Sequence, residues 1–154
     1  MPRIRLFVAV AGDLVYVETP ASLKSAGVQD ADLAEGFGEA GRWWDVELNT
    51  PTFGLQEEAK RLAQVPDPMT GFRLDTGLLP KTRAQVMIAG WPDWRWPDFD
   101  SLPPNVANIL DLEIQATMYP ASTAHEGFME ALRRRLQPSQ AGTSEQPKKD
   151  DSPA

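Results

Sequence analysis

The sequence contains no cysteine and a single histidine, His125, among its 154 residues. Without cysteine there is no disulfide, no thiolate metal site and no cysteine nucleophile, which suits a reducing cytoplasm. A lone histidine excludes multi-histidine zinc and iron sites. No run of 18 apolar residues occurs either, so we expect no membrane span. These absences predict a cytoplasmic protein that needs no metal and no cofactor.

Positive charge is also scarce, because 15 Lys and Arg stand against 22 Asp and Glu and leave a net charge of −7. A broad nucleic-acid surface needs many cations to neutralise phosphates, so we expect no nucleic-acid partner. The length suits one domain. Residues 137–154 hold no large apolar side chain and cannot bury enough surface to order themselves. We therefore predict a single domain over residues 1–136 and a disordered tail over residues 137–154.

The first 48 residues carry the period-two pattern of strands. Ile4, Leu6, Val8 and Val10 alternate with other side chains, residues 11–13 form a turn signal, and the alternation resumes over residues 14–18. This pattern predicts a β-hairpin. Residues 43–48 alternate again and predict a third strand. Between them we expect a short helix over residues 30–35 and a glycine-rich loop, which holds Gly36, Gly38 and Gly41.

After residue 48 the period changes to that of helices. Asn49-Thr50-Pro51 is a helix-start signal, a second helix is expected over residues 79–89, and Pro103-Pro104 opens a third. Thr123 and Glu126 have capping-box spacing for a last helix. Its apolar side chains are expected to face inward: Phe128, Met129, Leu132 and Leu136. The fold class is therefore α+β, with a small N-terminal antiparallel sheet (residues 1–48) followed by about four helices (residues 49–136).

Two groups of residues invite a chemical interpretation. An unperturbed imidazole titrates near neutral pH, so His125 could act as a general base, but that role needs an orienting partner, and its acidic neighbour is only Glu126. A polar residue at a helix start is the favoured interpretation. Asp93, Asp98 and Asp100 crowd one segment, yet they lack the central glycine and bidentate glutamate of a calcium loop, so turn chemistry is favoured. We assign no catalytic, cofactor-binding or metal residue.

Five tryptophans are the candidate partner contacts: Trp43, Trp44, Trp91, Trp94 and Trp96. In residues 91–96, tryptophans beside prolines either anchor the core, which is favoured because large aromatics are mostly buried, or stand exposed as interface anchors. Trp43 and Trp44 are adjacent in a strand and point to opposite faces, so one of them needs cover from a helix or from another protein chain.

Several segments in residues 43–120 resemble phage tail assembly chaperone proteins in their order. Residues 45–54, followed by Glu57-Glu58-Ala59, are similar to the strand and short polar helix that open the helical part of that family. Asp67-Pro68-Met69-Thr70-Gly71 resembles its D-P-x-T-G turn. Residues 87–91, the loop of residues 94–96, and residues 101–104 with the helix that follows fit the same layout.

The resemblance implies a non-enzymatic chaperone that binds the tape-measure protein and tail tube subunits and leaves before the tail is complete. The first alternative is a structural tail completion or adaptor protein of the virion. An enzyme that uses His125 is another alternative, and an acidic DNA mimic ranks last because Lys and Arg are spread among the acidic residues. The sequence is also compatible with a homo-oligomer.

Overall fold

The computed structural model describes residues 1–136, and within that range the side chains of all residues except 121–126. The chain divides into two compact units, Met1–Met118 and Tyr119–Ala154. The predicted disordered tail of residues 137–154 lies outside the described residues. The single domain over residues 1–136 stays a prediction.

Strands and helices are interspersed along the described chain. The strands are β1 (Arg3–Ala11), β2 (Leu14–Glu18), β3 (Gly41–Leu48), β4 (Gln64–Asp67), β5 (Gly71–Leu74) and β6 (Ile88–Gly90). The α-helices are α1 (Pro20–Ser25), α2 (Asp30–Phe37), α3 (Phe53–Leu62), α4 (Leu79–Met87), α5 (Pro104–Met118) and α6 (Ala121–Leu136). Three 3₁₀ turns, Gly38–Ala40, Thr76–Leu78 and Phe99–Ser101, complete this list.

A four-stranded antiparallel sheet with the order β2-β1-β3-β6 forms the centre of the first unit. The turn between β1 and β2 has Gly12 at φ 65°, which fits a two-residue hairpin with glycine at its first central position. β3 returns to pair with β1, and Leu6 lies opposite Trp44. The α+β class, the hairpin and the third strand are confirmed, and the sheet gains β6 as a fourth strand.

Both faces of this sheet are covered by helices. Leu6 and Val46 lie on one face, in a core with buried residues of α3, α4 and α5 such as Met87 and Leu110. Phe7 lies on the other face, in a smaller cluster to which α1 and α2 contribute. Because successive strand residues point to opposite faces, the sequence Leu-Phe-Val-Ala in β1 serves both cores. The sheet is therefore an internal layer of the unit.

The predicted glycine-rich loop is wrong. Gly36 lies inside α2, Gly38 has φ 56° at the end of that helix, and Gly41 is the first residue of β3 and pairs with Ala9. Glycine is poor in helices and strands in isolation, but packing of neighbouring side chains overrides that preference. Here the packing against the sheet comes from Leu33 of α2.

Gly41→Ala is expected to lower the free energy of unfolding by about 1–3 kcal/mol. A Cβ atom at this position would collide with the ring of Phe7, which is buried and packed between Phe37 and Trp43. Urea denaturation followed by tryptophan fluorescence measures the loss. The control is Gly36→Ala, because a Cβ there meets no atom within 4 Å and alanine favours the helix. Equal stability of the two variants would contradict the steric argument.

The predicted helix start at Asn49 is also wrong. α3 begins at Phe53, and its N-cap is Thr52, whose hydroxyl accepts a hydrogen bond from the Leu55 N–H at 3.1 Å. The Asn49 side chain donates instead to the carbonyl of Val86 at 2.9 Å, in the last turn of α4. Sequence spacing does not reveal this role, since the two residues are 37 positions apart.

α4 ends at Met87, earlier than predicted, because the next residues join the sheet. Ile88 lies opposite Leu48 of β3. The third predicted helix is present as α5, and its four most buried apolar side chains are Val106, Leu110, Ile114 and Met118.

Two elements of the first unit have no counterpart in the sequence predictions. α1 follows β2 directly, with Thr19 as its N-cap and Pro20 at its start, where the missing proline N–H costs nothing. β4 contains Pro66 and pairs with β5 to form a separate two-stranded sheet. Residues 68–70 form the turn between these two strands.

Candidate functional site

Four of the five tryptophans form one cluster around Trp94. The ring centroid of Trp94 lies 5.9 Å from that of Trp44, 5.5 Å from that of Trp91 and 5.6 Å from that of Trp96. Trp94 is 8% exposed, while the other three are half-buried and pack against the main core. This arrangement agrees with the favoured interpretation that residues 91–96 anchor the core.

The segment that carries three of these side chains is closed by its own contacts. The indole N–H of Trp91 donates to the main-chain carbonyl of Trp96 at 2.6 Å. Trp44 approaches from β3, because its position opposite Leu6 turns its side chain to the face that carries the main core. A strand and an irregular loop thus build the cluster together.

A surface cleft of about 370 Å³ lies beside the cluster. Its aromatic wall comes from Trp44, Trp94 and Trp96, and its floor includes Val8 and Val10 of β1. This volume falls in the range of small-ligand and side-chain pockets, and an apolar wall with a few polar groups is the usual composition of such sites. The cleft is therefore a candidate binding site.

Four charged side chains surround the cleft: Glu39, Arg42, Asp93 and Arg95. None of them forms an ion pair with another side chain of the described chain. The Arg42 guanidinium lies 4.4 Å from the ring centroid of Trp44, a cation–π contact that keeps its hydrogen-bond donors accessible. The rim can thus donate and accept hydrogen bonds around an aromatic wall. This arrangement suits binding of a partner group.

The indole Nε1 of Trp94 is buried and has no hydrogen-bond partner in the described part of the chain. Its ring meets those of Trp91 and Trp96 at 69° and 76°, a T-shaped packing that aromatic quadrupoles favour. Trp94 therefore contributes packing to the site, and its polar atom contributes no hydrogen bond.

Trp43 lies on the opposite face of the sheet from this cluster. Its ring centroid lies 5.3 Å from that of Phe7, and the Arg5 guanidinium lies 4.7 Å from the Trp43 ring centroid. Arg5 also forms an ion pair with Asp45 at 3.6 Å, across the strand pair. Trp43 and Trp44 therefore lie on opposite faces of the sheet, and on each face side chains of this same chain cover the tryptophan. Cover by another protein chain is not needed for either.

The three aspartates of residues 93–100 do not converge. Asp98 accepts a hydrogen bond from the Ser101 N–H at 2.9 Å and caps a 3₁₀ turn, while Asp100 binds Lys81 at 2.6 Å. The hydrogen bond from Lys81 to Asp100 raises the pKa of that lysine above its ordinary value. Asp93 lies instead at the Trp94 cleft. Turn chemistry and a surface ion pair account for Asp98 and Asp100.

No set of three His, Asp or Glu side chains within the described residues is placed to hold a metal ion. The side chain of His125 lies outside the described residues, as do those of Thr123 and Glu126. α6 begins at Ala121, two residues before the predicted cap.

None of the helices that the structure describes combines the length and the apolar character that crossing a bilayer requires.

α6 presents a second candidate surface. Its four large apolar side chains were predicted to face inward, and this prediction is wrong: Phe128 is 63%, Met129 36%, Leu132 37% and Leu136 70% exposed. The helical period places all four on one stripe. A sequence pattern shows that a helix has an apolar face, but it does not show what covers that face.

No protein-family model, no curated protein and no solved structure matches this chain.

Sequence reasoning identified the five tryptophans but missed the charged rim. Glu39 and Arg42 come from the end of the glycine-rich segment, and they meet Asp93 and Arg95 only because β3 and the loop of residues 91–96 lie side by side. Which of the five tryptophans contacts a partner stays a prediction.

Proposed function

We propose that this protein is a phage tail assembly chaperone, which binds the tape-measure protein and tail tube subunits in the host cytoplasm without making or breaking covalent bonds. The observation that carries this proposal is the exposed apolar stripe of α6. Phe128 and Leu136, the two most exposed side chains of the stripe, are 63% and 70% exposed.

An exposed apolar stripe on a helix suits another apolar helix as its partner. Side chains at spacings of four residues, as in Phe128, Leu132 and Leu136, fit between those of a second helix and exclude water there. Tape-measure proteins of the resembled family are long, with apolar helices that need cover before assembly. The apolar stripe of α6 therefore offers the kind of cover that such helices need.

Charged side chains of α6 stabilise the helix that carries the stripe. Glu130 forms ion pairs with Arg133 at 3.2 Å and Arg134 at 3.8 Å, and Arg133–Arg135 lie in the last turn, where cations complement the helix dipole. These contacts stabilise the helix while its apolar stripe stays exposed. The chaperone thus presents a preformed helix to its client.

The Trp94 cleft is the second contact in this proposal, and we assign it to the tail tube subunits. Its wall combines tryptophan with arginine, two residue types enriched at the energetic centres of protein interfaces. Its rim carries both signs of charge, Arg42 and Arg95 with Glu39 and Asp93, which suits a folded polar surface. An apolar helix would leave those charges without partners.

Co-expression of the full chain with a tape-measure fragment from the same phage tests the α6 contact. We expect the wild-type chain to retain the fragment through affinity purification, and Leu132→Gln to retain about tenfold less, because an apolar contact is lost. Arg134→Gln is the matched control, since this position lies on the opposite side of α6. We expect it to bind like the wild type.

Equal retention by Leu132→Gln, or no retention by the wild type, would refute the proposal. Analysis of mature particles separates it from the structural alternative. A chaperone is absent from finished tails, whereas a tail completion or adaptor protein stays in them.

A further inference from the structure

The hairpin of β4 and β5 exposes large apolar side chains. All four residues of β5 are exposed, Phe72 by 65%, and Met69 in the turn is 90% exposed. β4 and β5 pair only with each other in the described part of the chain. A two-stranded sheet in water is marginal, so a further strand on this hairpin would stabilise it.

The hydrogen-bond pattern shows which edge of the hairpin is open. The Asp75 N–H donates to the Ala63 carbonyl at 2.8 Å, which makes that pair a hydrogen-bonded one. Because such pairs alternate along an antiparallel ladder, Phe72 and Leu74 direct their main-chain N–H and C=O groups away from β4, where the Phe72 carbonyl accepts a hydrogen bond from the Thr70 hydroxyl at 3.0 Å. Pro66 occupies the corresponding outward position of β4 and has no N–H to offer. β5 is thus the edge that can accept a strand.

The charges beside this edge favour one occupant. Arg73 forms no ion pair with any described residue, and the Asp75 carboxylate forms none either and accepts a hydrogen bond from the Gly77 N–H at 3.0 Å. If two copies of β5 pair antiparallel with Leu74 opposite Leu74, each Arg73 faces Asp75 of the other copy. Sliding one strand by two residues, which moves the two-fold axis from Leu74 to Arg73, places Arg73 opposite Arg73, and this is repulsive. Of these two registers, only the one with Leu74 opposite Leu74 brings opposite charges together.

We propose that this protein forms a two-fold dimer through antiparallel pairing of β5 with β5 of a second copy. Leu74 lies at the symmetry axis, and the two hairpins join into a four-stranded sheet. Phe72 and Leu74 of both copies share one face of that sheet, while two Arg73–Asp75 ion pairs lie on the other. The same patch serves both copies, as in an isologous interface. This proposal does not depend on the tail assembly function.

Sedimentation velocity of the full chain over a range of concentrations tests the dimer. We expect the wild type to associate, and Arg73→Glu and Asp75→Arg to raise the dimer dissociation constant at least about tenfold each, because every facing pair then carries like charges. Mixing the two single variants restores opposite charges at both contacts, so we expect the mixture to dimerise. The double variant R73E/D75R is expected to dimerise by itself for the same reason.

Lys24→Glu is the control for a charge reversal outside the edge, and it is expected to dimerise like the wild type. Circular dichroism verifies that each variant is folded. A wild type that stays monomeric at all concentrations would overturn the proposal, as would dimerisation that neither charge reversal weakens. Failure of the mixed variants to associate would also overturn it, and would point to a strand from a different protein as the occupant.

Discussion

Asp111→Ala is expected to lower the free energy of unfolding of the unit Met1–Met118 by about 3–5 kcal/mol, because it leaves a buried guanidinium without its partner. Arg83 of α4 donates two hydrogen bonds of 2.9 Å to Asp111 of α5, and the side chains are only 12% and 10% exposed. Gln115 donates a third bond to the same carboxylate at 2.7 Å. Urea denaturation measures the loss, with tryptophan fluorescence as the probe.

Asp100→Ala is the matched control for this prediction. Its partner Lys81 lies at 2.6 Å, closer than Arg83 lies to Asp111, but the two side chains are 42% and 64% exposed. Solvent screens such a pair, so we expect a loss of about 0–1 kcal/mol. Similar losses in the two variants would show that burial does not set the strength of the α4–α5 ion pair.

Trp94→Ala is expected to lower the free energy of unfolding by about 3–5 kcal/mol, since it removes the largest side chain at the centre of the aromatic cluster and leaves a cavity. Trp94→Phe keeps part of the ring packing. It also removes an indole N–H that has no hydrogen-bond partner among the described residues, so no hydrogen bond is lost. We therefore expect Trp94→Phe to cost less than about 2 kcal/mol.

Urea denaturation and near-ultraviolet circular dichroism measure both Trp94 variants. Trp96→Ala is the control, because its half-buried ring contacts the cluster at one side and its main-chain carbonyl still accepts the bond from Trp91. Its loss should be smaller than that of Trp94→Ala. If Trp94→Phe proved as costly as Trp94→Ala, a polar role of the indole nitrogen would replace the packing role described here.

Local patterns predicted the elements that depend on local chemistry. The alternation from Ile4 to Val10 identified β1, the glycine of the first turn identified the hairpin, and Pro103-Pro104 identified the start of α5. In each case hydrophobic period and backbone geometry agree, and packing reinforces the same choice. The α+β class follows from the order of these elements.

Long-range contacts decided the elements that were missed. Proline is rare inside strands, but Pro66 occupies an outward position of β4 where the ladder needs no N–H. Asn49 carries the signal of a helix start and caps the end of α4 instead, through a contact with Val86. Neither the strand position of Pro66 nor the contact of Asn49 can be predicted from a window of neighbouring residues.

The amino-acid sequence by itself determined the two periodicities, the apolar stripe of α6 and the five tryptophans, because each depends on residue type and spacing along the chain. Only the tertiary structure decided that Trp94 is buried while Phe128 is exposed, that Arg83 finds Asp111, and that β5 keeps an open edge. Burial and pairing depend on which distant segments come together. The spacing of residues along the sequence does not show which of these segments become neighbours in the fold.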